Sequence, residues 1–226
     1  MPRRYAVPIA DRHTYLAEVV AACLKVWPGN RTVNIACHGH SVPAGYFASH
    51  VVDTFNAYPH LLHRGLKERF PSAVLNVIVT AIGGENSEPG AARFAEVLAH
   101  RPDVLTIDYG LNDRRLGLER ARAAWSAMIG PAQEQGVRVL LLTPTPDIMQ
   151  RSDAPAEARQ LLRDHAQQIR ELAAEFEVGL VDSLAACDRY LEGGGDLQDL
   201  LSWSNHPNRR GHELVARELL RWFPIG

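Results

Sequence analysis

The sequence has little cysteine and no spacing that would pair it. Three cysteines, Cys23, Cys37 and Cys187, are spread over 226 residues. An odd number of distant cysteines argues against a disulfide framework, and none has the spacing of a zinc site. We therefore predict neither disulfides nor a metal centre.

Long hydrophobic runs and an excess of one charge are also missing. No apolar stretch reaches the roughly 20 residues of a membrane span, and charged residues interrupt the segment after the basic start Met1-Pro2-Arg3-Arg4. The formal net charge is −2, which gives no electrostatic reason to expect nucleic acid as a partner. The sequence thus predicts a cytoplasmic protein with neither nucleic-acid nor membrane partners. It predicts no oligomeric state.

Phosphate-binding loops are absent as well. The first predicted loop lacks the G-x-G-x-x-G and P-loop patterns that hold nucleotides. A flavodoxin-like flavin or nucleotide binder is therefore a weak alternative, and we expect no cofactor.

What the sequence does contain is a regular alternation of β-rich and amphipathic helical segments. The predicted strands are a run from Thr32 to a break at Gly39, followed by residues 73–82 (a buried strand), 104–109, 137–143 and 178–181. The predicted helices cover residues 13–27, 57–70, 91–100, 118–135 (kinked or divided at Gly130-Pro131), 156–176, 184–191 and 207–221.

This alternation is typical of a parallel sheet with helices on both faces. We expect residues 1–226 to form one α/β domain, a three-layer α/β/α sandwich. Its five-stranded parallel sheet should have the flavodoxin-like order 2-1-3-4-5.

Four polar or glycine positions fall where such a sheet keeps its chemistry. Ser41, Gly84 and Asn112 each follow a predicted strand, and His206 lies in the loop before the last helix. The carboxyl ends of parallel strands share one edge, so the fold would gather these residues along it. Together they could supply a nucleophile, a base and donors for an oxyanion, as acyl transfer requires.

The surrounding motifs resemble those of the SGNH (GDSL-like) hydrolase superfamily, whose name lists Ser, Gly, Asn and His. In order, the four blocks are Gly39-His40-Ser41, Ala81-Ile82-Gly83-Gly84-Glu85-Asn86-Ser87, Gly110-Leu111-Asn112-Asp113 and Asn205-His206-Pro207-Asn208, the last followed by Gly211-His212. Each block alone is a weak signal. Four in the right order on a matching α/β skeleton are a strong one.

The resemblance implies a cofactor-free serine esterase that cleaves a small carboxylic ester or thioester through an acyl-enzyme. Ser41 would be the nucleophile and His206 the base. The backbone N–H groups of Ser41 and Gly84, with the Asn112 amide, would form the oxyanion hole.

Two positions depart from the family pattern. His40 stands where an aspartate usually precedes the serine, and Trp203 stands where an aspartate usually precedes the catalytic histidine by three residues. Asp199 and Asp196 lie a little upstream and could replace this acid if the loop bends, and Asp199 is our candidate. The alternative is a Ser–His dyad whose imidazole is held by a backbone carbonyl. The same departures leave open a catalytically weak or inactive ligand-binding protein.

Substrate-binding residues are harder to predict than catalytic ones. We expect Arg114 to contact an anionic or hydroxyl-rich substrate and Trp203 to lie at the rim of the pocket. The His38–His40 pair has the form of a metal-binding motif, but no carboxylate stands at ligand spacing, so we expect a structural role for it.

Overall fold

A five-stranded parallel sheet forms the centre of the protein. The computed structural model describes residues 9–48 and 50–225. The strands are β1 (Thr32–Gly39), β2 (Val74–Val79), β3 (Val104–Asp108), β4 (Arg138–Leu142) and β5 (Gly179–Val181). They pair in the order β2-β1-β3-β4-β5, and all four pairings are parallel.

Helices cover both faces of this sheet. They are α1 (Ala17–Leu24), α2 (Ser41–Ala44), α3 (Tyr58–Arg69), α4 (Ser87–Ala92), α5 (Phe94–Ala99), α6 (Gly110–Asp113), α7 (Leu118–Glu134), α8 (Ala156–Glu175), α9 (Ser183–Glu192) and α10 (Arg209–Leu220). Short 3₁₀ turns lie at Thr54–Asn56, Ile148–Gln150 and Leu197–Leu200. Within the described residues, no helix is both long enough and apolar enough to cross a membrane.

The core consists of two apolar clusters, and successive side chains along a strand fall alternately into one cluster and the other. Val33 and Ile35 of β1 belong to one cluster, and Ala36, the next residue along the strand, belongs to the other. This alternation follows from the two-residue period of a strand, and it requires helices on both faces. The predicted three-layer fold and strand order are therefore confirmed.

Strand β2 differs from its prediction because it lies at the edge of the sheet. Only Leu75 of its six residues is buried, and Val74 is 48% exposed. A run rich in valine and isoleucine is typical of a buried strand, but the pattern does not reveal which strand forms the edge.

Predicted and observed helices also differ in extent or continuity. The first helix, predicted over 13–27, covers only Ala17–Leu24. The predicted helix 91–100 overlaps the end of α4, which begins earlier at Ser87, and contains all of α5; the two helices meet at Arg93. Helix α7 continues through Pro131 without division. Helix α10 begins after Pro207, because the Asn208 side chain caps it by accepting a hydrogen bond from the Gly211 N–H.

Close packing of β1 against β3 sets the edge where the candidate residues gather. Gly39 pairs with Asp108, and a Cβ on Gly39 would lie only 2.4 Å from the Asp108 carbonyl oxygen. Glycine is therefore required at the end of β1. The next residues, His40 and Ser41, leave the sheet at its carboxyl edge, directly beside the end of β3.

Candidate active site

Ser41 begins the short helix α2, and His40 caps that helix. The His40 Nδ1 accepts a hydrogen bond from the Val42 N–H at 3.2 Å. Gly45 ends the turn in the left-handed region, with φ of 93°. This strand–cap–turn geometry sets the Ser41 hydroxyl at the cavity while leaving the residue only 6% exposed.

His206 is held by a tight loop between residues 201 and 207. Leu201 forms a bridge with Pro207, and the Ser202 N–H donates to the His206 carbonyl at 2.9 Å. The imidazole Nε2 then lies 3.0 Å from Ser41 Oγ, while Nδ1 lies 2.8 Å from the Phe47 carbonyl oxygen. A carbonyl only accepts, so Nδ1 carries the proton and Nε2 is free to accept from Ser41.

The surroundings of His206 favour its neutral form. Burial lowers the pKa of His206, and nearby His40 lowers it further, against the opposing effect of the Phe47 carbonyl. A neutral imidazole is the form that can take a proton from a hydroxyl.

Asp199 does not contact His206, contrary to the triad prediction. Its carboxylate accepts hydrogen bonds from the Tyr190 hydroxyl at 2.8 Å and from the Asp196 N–H at 3.1 Å. It thereby completes a capping box at the start of the 3₁₀ turn Leu197–Leu200. The Phe47 carbonyl occupies the position at Nδ1 that an acid would take, which is the dyad arrangement.

Gly84 and Asn112 lie at the same cavity as Ser41 and His206. Gly84 has φ of 82°, a left-handed conformation that favours glycine. The Asn112 Nδ2 donates a hydrogen bond of 2.7 Å to the Glu85 carbonyl. Asp113, its neighbour, accepts from the Ser87 N–H at 2.8 Å and so ties the loop after β2 to α6.

The cavity is polar and has a volume of about 500 Å³. Its remaining lining residues are Tyr46, Gly83, Asn86, Arg115 and Asn205. Within the described part of the chain, no carboxylate lines it. Such a cavity fits a small polar ligand better than a long acyl chain.

Arg115, which the sequence analysis passed over, lines this cavity in place of Arg114. Arg114 is instead tied down by its own helix and a neighbour: its Nε donates to the Leu111 carbonyl at 2.9 Å, and its Nη2 pairs with Asp147 at 2.6 Å. The sequence contained a signal for Arg115, because it is three residues after Asn112. Residues three apart on a helical turn share a face, so a cavity that contains Asn112 is expected to contain Arg115 as well.

Trp203 lies outside the Ser41 cavity. It is 56% exposed and lines a separate groove of about 460 Å³, together with Ile148, Leu197 and Leu201 among others. The Ser204 carbonyl accepts from the Ile148 N–H at 2.7 Å, which fixes the segment between the groove and the cavity. A direct contact between Trp203 and a bound ester stays a prediction.

The two histidines of the H-x-H pair point to different partners. His38 lies within 3.0 Å of the Thr80 hydroxyl and 3.2 Å of the Tyr109 hydroxyl, while the His40 Nε2 lies 3.5 Å from Asp108 Oδ1. Among the residues that the structure describes, no group of His, Cys, Asp and Glu could hold a metal ion.

An α/β/α sandwich with a serine and a histidine paired at the carboxyl edge of its sheet is typical of serine hydrolases. Comparison with protein-family models matches residues 37–214 to the GDSL-like Lipase/Acylhydrolase family. The chain belongs to this family, as its motifs indicated, and is a hydrolase of ester bonds. A comparison with curated proteins found no match.

Solved structures with the same fold include esterases. Axe2, an acetylxylan esterase from Geobacillus stearothermophilus, superposes with a TM-score of 0.74 at 22% identity, covering 86% of this chain and 95% of that one. LAE5, an α/β hydrolase enzyme from the metagenome of Lake Arreo, Spain, gives a TM-score of 0.73 at 22% identity, covering 84% of this chain and 94% of its own. At this identity the likeness establishes the fold alone.

Proposed function

We propose that the protein is a serine esterase that cleaves a small carboxylic ester through an acyl-enzyme on Ser41. The observation that carries this proposal is the 3.0 Å approach of His206 Nε2 to Ser41 Oγ, with Nδ1 fixed by the Phe47 carbonyl. A nucleophile, its base and an orienting group for that base are the minimum needed for covalent acyl transfer.

The chemical steps follow from this geometry. Ser41 Oγ attacks the ester carbonyl carbon while its proton moves to His206 Nε2. The tetrahedral intermediate collapses, the C–O bond to the alcohol breaks, and His206 returns the proton to the leaving oxygen. Water then attacks the acyl carbon while its proton moves to His206 Nε2. The bond from the acyl carbon to Ser41 Oγ breaks, and His206 returns the proton to Ser41 Oγ, which releases the acid and restores the free serine.

Three donors around the cavity would stabilise the oxyanion. They are the backbone N–H groups of Ser41 and Gly84 and the Asn112 amide, whose residues all line the cavity. Preorganised donors of this kind contribute about 10²–10³-fold each to kcat in enzymes where one has been removed.

The substrate we propose is a short-chain, acetyl-sized ester of a polar alcohol. The support is the polar lining of the 500 Å³ cavity, with Asn86, Asn205 and Arg115 near the serine. The name of Axe2 as an acetylxylan esterase is consistent with this class.

Hydrolysis of p-nitrophenyl acetate, butyrate and octanoate tests the proposal. We expect the acetate to be the best substrate, Ser41→Ala to lose activity, and a fluorophosphonate to label the wild type but not this variant. Ser183→Ala, which removes another buried serine hydroxyl at the same sheet edge, is the matched control and should keep activity. A wild type that neither turns over nor reacts with the fluorophosphonate would favour the inactive binding protein.

A further inference from the structure

The backbone carbonyl of Glu85 contacts a cavity residue, Asn112, while its carboxylate contacts Arg93 and Tyr109. Its backbone carbonyl accepts the hydrogen bond from Asn112 Nδ2 at 2.7 Å. Its carboxylate receives a two-pronged contact from Arg93, at 2.8 Å to Oε1 and 2.7 Å to Oε2, and a third hydrogen bond from the Tyr109 hydroxyl at 3.0 Å. One residue thus links a candidate oxyanion donor to a fixed ionic contact.

The carbonyl contact determines what Asn112 presents to the cavity. A primary amide nitrogen carries two N–H groups, and one of them is used by Glu85. If the amide flipped, its oxygen would face the Glu85 carbonyl, two acceptors in contact. The contact therefore holds the amide with its second N–H available to a substrate oxygen.

The loop that carries this carbonyl is anchored on either side of Glu85. The Ile82 N–H donates to the Gly39 carbonyl at 3.0 Å before it, and the Ser87 N–H donates to Asp113 at 2.8 Å after it. Gly83 and Gly84 precede Glu85, and a Cβ on Gly84 would find no heavy atom within 4 Å. The backbone bond from the Glu85 N–H to the Ile82 carbonyl is long, at 3.3 Å. Between these two anchors the glycine pair allows several backbone conformations, and the Glu85 side chain adds a constraint on the peptide that carries the carbonyl.

That constraint is strong because it is shielded from water. The side chains of Glu85 and Arg93 are only 12% and 18% exposed, and Arg93 Nη2 also donates to the Thr80 carbonyl at 2.6 Å. Burial raises the pKa of Glu85, but the hydrogen bonds from Arg93 and Tyr109 outweigh it and leave the pKa lowered. The carboxylate is therefore ionised at neutral pH and stays engaged with Arg93.

We propose that Glu85 is a positioning residue for catalysis: held by Arg93 and Tyr109, it fixes the Asn112 amide as an oxyanion donor. This inference rests on the proposed esterase function. It adds a residue that touches no substrate but whose side chain determines how well the transition state is stabilised, with little effect on substrate binding.

A matched control lies three residues further along the chain. Glu88 makes a similar two-pronged contact with Arg120, but the two side chains are 40% and 63% exposed, and neither residue lines the cavity. Exposed pairs of this kind contribute little to stability or geometry. Glu88→Gln therefore removes an Arg–Glu contact of the same chemistry from the first turn of α4, three residues beyond Glu85.

The experiment compares Glu85→Gln, Tyr109→Phe, Asn112→Ala, the double variant Glu85→Gln/Asn112→Ala and Glu88→Gln. For each we would measure kcat and KM with p-nitrophenyl acetate, Tm, and the inhibition constant of phenylboronic acid, whose serine adduct mimics the tetrahedral intermediate. Glutamine keeps the size of Glu85 but turns an N–H group towards the Arg93 guanidinium or removes an acceptor from it.

We expect Glu85→Gln to lower kcat by about 10- to 100-fold with KM within about twofold of the wild type. The inhibition constant of phenylboronic acid should rise by the same factor as kcat/KM falls. The double variant should lie within about threefold of Asn112→Ala alone, because both changes act on one donor. Tyr109→Phe should show a smaller loss of the same kind, and Glu88→Gln no loss.

A Glu85→Gln protein with lower Tm but wild-type kcat and boronate inhibition would overturn the proposal and leave Glu85 a structural residue. Loss factors that multiply fully in the double variant would also overturn it. If Glu85→Gln does not fold, Tyr109→Phe carries the same test. Failure of the esterase proposal is distinguishable, because it would appear as an inactive wild type that no fluorophosphonate labels.

Discussion

The imidazole of His206 is oriented by a backbone carbonyl, that of Phe47, at 2.8 Å from Nδ1. A carboxylate in this position would stabilise the imidazolium that forms when His206 takes a proton, whereas a neutral carbonyl stabilises it less. The carbonyl still fixes the tautomer and the direction of Nε2. The arrangement keeps the geometry of a triad and gives up part of its electrostatic stabilisation.

The first prediction is that Asp199→Asn leaves hydrolysis nearly unchanged. Asp199 completes the capping box of a 3₁₀ turn by accepting from the Asp196 N–H and also accepts from the Tyr190 hydroxyl, so it does not contact His206. We expect kcat/KM for p-nitrophenyl acetate to stay within about threefold of the wild type, against a loss of about 10⁴-fold when a true triad acid is removed. His206→Ala is the positive control. A loss of several hundredfold in Asp199→Asn would restore Asp199 as the acid.

The second prediction concerns the pH dependence of kcat/KM. Burial lowers the pKa of His206, and only the neutral imidazole can act as the base. Activity should therefore be fully present above the ordinary histidine pKa of about 6.5 and should fall only as the pH drops through a lower midpoint.

His40→Asn provides the control for this profile. Because His40 is one of the groups that lower the pKa of His206, its removal should move the acid midpoint upward. A wild-type midpoint at or above the ordinary histidine value, or a downward shift in His40→Asn, would contradict the assignment of His206 as the base.

The third prediction is that the family's usual aspartate is a poor replacement for His40. His40 is buried, caps α2 through Nδ1 and lies 3.5 Å from the buried Asp108 carboxylate. In His40→Asp two carboxylates would share this site, whereas in His40→Asn the neutral side chain can still cap the helix. We expect His40→Asp to be less stable than His40→Asn by more than about 1 kcal/mol at pH 7 in urea unfolding.

The stability difference between His40→Asp and His40→Asn should depend on pH, and its sign follows from the repulsion between the two carboxylates at positions 40 and 108. Repulsion raises the folded-state pKa of the carboxylate pair above the unfolded value, so the penalty is present at neutral pH and is relieved as the pH falls through that raised pKa. The stability gap between the two variants should therefore narrow on acidification. A gap that widens would mean that Asp108 does not sense the charge at position 40.

Much of this site could be predicted because its residues stand at positions that the sequence pattern identifies as following a strand. Ser41, Gly84 and Asn112 follow strand ends, and their convergence follows from a parallel sheet alone. A backbone carbonyl as the partner of His206 was one of the two alternatives, but its identity as Phe47 could not be predicted, since every residue carries a carbonyl group. Asp199 was a reasonable choice by sequence distance, but the capping box directs its carboxylate elsewhere. Arg114 and Arg115 are neighbours of the same residue type, and only the different directions of their side chains on one helical turn place Arg115 at the cavity and Arg114 beside Asp147.

The fourth prediction is that Arg115 favours esters that carry a negative charge. Arg115 is exposed at a cavity that, within the described chain, has no carboxylate in its lining. We expect Arg115→Ala to lower the ratio of kcat/KM for 4-acetoxybenzoate over 4-acetoxybenzamide by about two- to fivefold at low salt, since exposed charge pairs are weak. Added salt should reduce the wild-type preference.

Arg122→Ala is the control for this ratio. Arg122 lies on α7 and pairs with Glu175, away from the cavity lining. Its ratio should match that of the wild type. An unchanged ratio in Arg115→Ala would remove Arg115 from substrate recognition.

The fifth prediction is that His212 makes the fold sensitive to acid. His212 is fully buried, stacks on the Phe47 ring at 4.9 Å and accepts the Tyr58 N–H at 3.2 Å through Nδ1. Burial, with a smaller effect of His206, lowers the pKa of His212 to about 3. Protonation would place a hydrogen where Nδ1 now accepts one.

The folded-state pKa of His212 lies below the unfolded value of about 6.5, so the unfolded chain binds the proton first as the pH falls. Its contribution to stability is complete above pH 6.5 or so and is lost progressively below it, by about 2 kcal/mol at pH 5. His212→Asn keeps an oxygen that can accept the Tyr58 N–H but does not titrate. In urea unfolding, this variant should lose less stability between neutral pH and pH 5 than the wild type, by about that amount. The control His100→Asn, at an exposed position, should retain the full wild-type loss, and an equal loss in His212→Asn would show that His212 is not the group responsible.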